Sequence, residues 1–175
     1  EEDTVPAGVA AEGYIAAGFH PAGTDFPVIQ EIIKHVYDKD NGELPRRRVG
    51  SIYYNRAIVW AIVSVEAIRS AMDMFGHRPV IGEEVQQALE NLSMTEARIE
   101  ELGATGLIPV FSVSCEDHEG GAPVKFQQWT DGKWVQISDW IETDQSIVRP
   151  MVEESAAKYA AEKGITPRDC ASVSG

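Results

Sequence analysis

Residues 50–76, GSIYYNRAIVWAIVSVEAIRSAMDMFG, restrict the fold more than any other stretch of the chain. Ile58, Val59, Ile62, Val63 and Val65 are β-branched and would suit a strand, but apolar positions continue through Ile68, Ala71, Met72 and Phe75 with Glu66, Arg69 and Asp73 between them. That run is too long for one strand. The spacing predicts a long helix, buried on nearly all sides in its first half and closed by Gly76. A polar quartet, Tyr53-Tyr54-Asn55-Arg56, sits directly before the most apolar part, residues 57–63. It is either the mouth of a site or the wet end of a buried helix. Two phenol rings offer flat apolar area and a hydroxyl each, Asn55 both donates and accepts, and the free N–H groups at a helix start favour carboxylates. Tyr53, Tyr54 and Asn55 are therefore the candidate site, against the alternative that the tyrosines only pack the helix end onto a loop.

Elsewhere the periodicity changes repeatedly. Residues 8–19 carry the short apolar run Tyr14-Ile15-Ala16-Ala17, which reads as a core strand ending in the loop His20-Pro21-Ala22-Gly23. Ile29, Ile32, Ile33, Val36 and Tyr37 mark an amphipathic helix with Thr24 or Asp25 near its start. Shorter helices are expected over 82–92 and 95–102, the second stopped by Gly103. Residues 107–115 then read as a strand, and 124–140 as a hairpin turning at Asp131-Gly132, with Trp129 and Trp134 near the turn. A last helix over 149–163 has Pro150 in its first turn and Gly164 beyond its end, leaving 165–175 as a tail. The class is α/β, although one lone strand before three helices needs a partner that the linear order does not reveal.

A net charge of −13 disfavours nucleic acid and anionic membranes as partners, and no stretch reaches the ~18 apolar residues of a membrane span, so the reading is a soluble chain. Arg46-Arg47-Arg48, the one basic cluster, reads as a solvated turn. The opening EEDTVPAG has neither an initiator methionine nor a signal pattern and reads as processed or cut. Nucleophile elbows, zinc-protease motifs and phosphate loops are absent, so no catalytic residue, metal or cofactor is expected and the chain reads as a non-enzyme. Cys115-Glu116-Asp117-His118-Glu119-Gly120-Gly121 is dense in possible ligands, but its spacing fits no closed zinc site and it reads as a structural turn. Cys115 and Cys170 are equally readable as a bridge or as two separate thiols.

Taken together, GVAAEGYIAAGF, YYNRAIVWAIVSVEAIRSA, VQQALENL and FQQWTDGKWVQISDW resemble the C-terminal half of a type I periplasmic solute-binding protein of ABC transporters, the family of the leucine/isoleucine/valine-binding proteins. The family's usual Tyr-Asp-Ala stands here as Tyr54-Asn55-Arg56, similar to the branch that takes up aromatic and other carboxylate compounds. The resemblance implies two Rossmann-like lobes with a solute held between them. Residues 1–18 and 106–175 would belong to the C-terminal lobe, and 19–105 would be the helical remainder of the N-terminal lobe. It implies a periplasmic receptor for a small organic acid, either a branched-chain amino acid or an aromatic carboxylate. Its partners would be a membrane permease and the N-terminal half of the same protein or another copy. A signalling receptor of the same fold is the alternative. Phe19 and His20 would join Tyr53, Tyr54 and Asn55 at the cleft. Export, together with an otherwise unanchored tail, further implies a Cys115–Cys170 disulfide.

Overall fold

The computed structural model describes residues 3–121 and 123–172. A short helix α1 (Thr4–Ala7) and a 3₁₀ turn (Gly8–Ala11) lead into β1 (Ile15–Gly18), then α2 (Pro27–His35), α3 (Ile52–Phe75) and α4 (Gly82–Leu89). After these come β2 (Ser93–Met94), α5 (Glu96–Glu101), β3 (Phe111–Ser112), β4 (Lys125–Thr130), β5 (Lys133–Gln136) and α6 (Gln145–Lys163). The class is α/β, and the expected helices all form.

The partner of β1 lies within the chain. β4 pairs antiparallel with β1, Ile15 opposite Gln128 and Gly18 opposite Lys125, and β5 continues the sheet in the order β1-β4-β5. No periodicity signal joins residues more than a hundred positions apart, which is why the strand looks solitary in linear order. It is also less buried than a core strand: Ile15 is half exposed. At the hairpin, Asp131 and Gly132 both take positive φ, 50° and 75°, the left-handed pair that matches the twist of two antiparallel strands. Trp129 and Trp134 meet there edge to face at 5.3 Å.

α3 starts where Ser51 accepts a hydrogen bond from the Tyr54 amide at 3.3 Å and ends at Gly76, whose φ of 99° is open only to glycine at low cost. Its first half is not buried all round. One side feeds the core through Ile58, Val59, Ile62 and Val63, while Trp60 on the other is 63% exposed. The core itself joins Phe26, Ile29, Val49, Leu92, Met94, Ile99, Leu107 and Ile108.

Two further expectations are revised. The strand over 107–115 shrinks to Phe111–Ser112, because only Ser93–Met94 runs alongside it, and Leu107 and Ile108 turn into the helical core instead of a sheet. The last helix begins at Gln145 rather than 149, since Asp144 accepts from the Ser146 amide at 3.0 Å, and Pro150 lies inside it. Gly164 closes it with φ 64°.

Cys115 and Cys170 form a disulfide with Cα atoms 5.6 Å apart. It holds residues 165–172 against α4, where Arg168 pairs with the nearly buried Glu90 carboxylate at 2.6 Å. The last positions of the tail, 173–175, lie outside the described residues. A separation of 55 residues makes such a bridge worth roughly 4 kcal/mol in the chain-entropy model. Reduction, or Cys170→Ser, should lower the unfolding free energy by up to about that amount and speed amide exchange over 165–172; unchanged melting and exchange in the reduced protein would contradict this latch.

Candidate functional site

The loop after β1 and the start of α3 meet beside the sheet. The buried row of β4 is Lys125, Gln127 and Trp129, an unusually polar inward face for a strand. Each polar member holds a loop. Lys125 reaches the Gly106 carbonyl at 3.4 Å, and Gln127 Oε1 accepts from the Ala22 amide at 3.3 Å. The loop that follows β1 is tied from the other side: Asn55 Nδ2 donates to the carbonyls of Pro21 and Gly23 at 3.0 and 2.9 Å.

Between these anchors lies a cleft of about 470 Å³. Its walls include Thr4, Phe19, His20, Tyr53, Arg56, Gln127 and Trp134. Five buried side-chain polar atoms among the described residues have no hydrogen-bond partner, and four of them, Thr4 Oγ1, His20 Nδ1, Gln127 Nε2 and Trp134 Nε1, belong to these lining residues. Buried polar groups are normally paired, so these atoms are the unusual feature of the residues around the cleft. All four atoms can donate. Arg56 Nε donates to His20 Nε2 at 3.0 Å, which leaves the ring proton of a neutral His20 on Nδ1. Asp3 also lines the cleft, so donors and a carboxylate stand around the same space.

The five residues singled out from the sequence divide between two sides of α3. Phe19, His20 and Tyr53 line the cleft together. Tyr54 and Asn55 do not. At 100° per residue, Tyr53 and Arg56 share a helix face while Tyr54 and Asn55 point elsewhere. Tyr54 packs on the helical core 6.5 Å from the Tyr37 ring, and burial with hydrogen bonding to Tyr37 pushes its hydroxyl up to about 12. Asn55 is fully buried as a loop anchor. Arg56, in the same quartet, is the residue that this helical geometry could have picked out. Gln127 and Trp134 carry no local signal, because only the β1–β4 pairing brings them here. The turn holding His118 lies apart from the cleft, with His118 Nε2 3.4 Å from Glu90.

Two similar structures bear on this arrangement. An ABC transporter permease from the Pseudomonas fluorescens group is 43% identical with a TM-score of 0.92, over 97% of this chain and 41% of that one. A branched-chain amino acid ABC transporter from Thermus thermophilus with bound valine is 22% identical with a TM-score of 0.61, over 82% of this chain and 37% of that one. The chain shares its fold with two ABC-transporter proteins. It spans about two-fifths of the length of each. No protein-family model matches the chain, and none of the curated proteins does. Among the described residues, no helix is long and apolar enough to cross a membrane.

Two outcomes follow from this geometry. Removing the amide in Asn55→Ala strips two buried carbonyls of their donor, so stability should fall by roughly 2–4 kcal/mol with faster exchange in the 20–24 loop; an unchanged melting temperature would contradict the anchor role. Burial and the neighbouring Arg56 lower His20 from 6.5 to about 4. The unfolded chain takes up that proton at about 6.5 and the folded chain only near 4, so stability should fall as pH drops through this window, by up to about 3 kcal/mol, and level off below it. Subtracting the melting profile of His20→Gln isolates the effect, and parallel profiles would contradict it.

Proposed function

We propose that this chain is the C-terminal portion of a longer type I solute-binding protein of an ABC transporter, and that the cleft beside Phe19, His20, Tyr53 and Arg56 takes a small organic acid. The observation that carries the reading is the set of four unpartnered buried donors in the cleft-lining residues. The likeness to two ABC-transporter proteins, one of them with bound valine, supports the transport context. The disulfide is in keeping with an extracytoplasmic, periplasmic setting, where thiols are oxidised.

In this reading residues 1–18 and 106–175 serve mainly the C-terminal lobe and 19–105 the N-terminal one. Closure of the lobes excludes water and satisfies polar groups from both sides at once. The solute is then handed to a membrane permease, with no bond made or broken. A volume of about 470 Å³ suits a branched-chain amino acid or a single-ring carboxylate.

Calorimetric titration with leucine, valine, phenylalanine and benzoate tests the proposal. The longer protein should bind at least one of them at micromolar strength or better, about −8 kcal/mol, and the 175-residue chain much more weakly. Tyr53→Ala in the longer protein should weaken binding at least tenfold with its melting temperature unchanged. Absence of saturable binding to the longer protein, or full affinity in that variant, would overturn the assignment.

A further inference from the structure

Arg56 is held as a grip rather than as a structural ion pair. Its Nε is occupied by His20 Nε2 at 3.0 Å. The guanidinium lies 5.3 Å from the Phe19 ring centroid and 5.4 Å from that of Tyr53, so two aromatic rings fix its plane. Arg78, Arg98 and Arg149 each meet a carboxylate of this acidic chain, whereas Arg56 meets none among the described residues. Its two Nη groups carry the remaining donors. Two parallel N–H bonds from a guanidinium edge match the geometry of a carboxylate better than any other side chain can.

Adjacent donors reinforce this. His20 is 2% and Gln127 6% exposed; the His20 ring also meets the Pro21 backbone, and Gln127 has a buried nitrogen without a partner. Neither side chain brings a negative charge to compete for the guanidinium; the one carboxylate among the lining residues, Asp3, makes no ion pair with it among the described residues. The rings that orient Arg56 also offer flat apolar surface beside it.

We propose that Arg56 anchors the solute's carboxylate through its two Nη groups, while Phe19 and Tyr53 hold the guanidinium plane and receive a flat apolar flank of the same molecule. This rests on the reading of the cleft as a solute site and narrows the solute to a ring-bearing carboxylate that needs no amino group. His20 is a positioning residue, holding Nε and leaving the outer edge of the guanidinium to the ligand.

The test is a nuclear magnetic resonance titration of the longer protein with benzoate and with benzamide, its uncharged counterpart, following the Arg56 Nε–H and His20 ring signals. Benzoate should shift both saturably and benzamide should not. Arg56→Gln should weaken benzoate at least tenfold, and Arg56→Lys, which keeps the charge but not the fork, should weaken it by a smaller factor. Equal binding of benzoate and benzamide, or full benzoate affinity in Arg56→Gln, would overturn Arg56 as the anchor while leaving the cleft as a solute site. No saturable shift with benzoate, benzamide or phenylalanine would overturn the anchor and the solute-site reading together.

Discussion

The buried amide of Asn55 is the contact on which the rest of the arrangement depends. It sits on the second turn of the longest helix and holds two carbonyls of the loop that leaves β1. An apolar side chain at that position would leave both carbonyls unpaired in the interior, and one able only to accept would repel them. Because the loop is pinned to α3, Phe19 and His20 are set against Tyr53 and Arg56. The cleft is a consequence of that pin. Gln127 repeats the device from the sheet, taking the Ala22 amide, so the loop is clamped between a helix and a strand.

Electrostatics is compatible with the proposal that an acidic chain presents a site for an acid. A net charge of −13 gives a repulsive average field, but at physiological salt charges are screened beyond about 8 Å, so Arg56 and its neighbouring donors govern the cleft locally. Neutral His20 matters for the same reason. A charged imidazole 3.0 Å from the guanidinium would oppose it, and burial together with Arg56 keeps the ring unprotonated above about 4.

Local patterns were legible in the sequence. The i, i+3, i+4 stripe of α2, the length of α3 and the Asp131-Gly132 hairpin each follow from a rule that acts within a few residues. Phe19, His20 and Tyr53 share one cavity wall, whereas Tyr54 and Asn55, adjacent in sequence, are turned from it by the helix. What could not be read depends on distant pairing. β3 is two residues long because its partner, Ser93–Met94, is, and Gln127 reaches the cleft only because β4 lies beside β1. The start of α6 was hidden by Pro150, which suits a first turn and here sits one turn further in, behind the Asp144 cap.

The clamp, the neutral histidine and the oriented arginine together make one claim: the cleft is a solute-binding wall and not a seam between packed segments. A crystal structure of the longer protein grown with its solute tests that claim most directly. The account predicts an acidic solute in contact with Phe19, Tyr53 and the Nη groups of Arg56; a structure in which protein side chains fill this cleft and the solute binds elsewhere would contradict it.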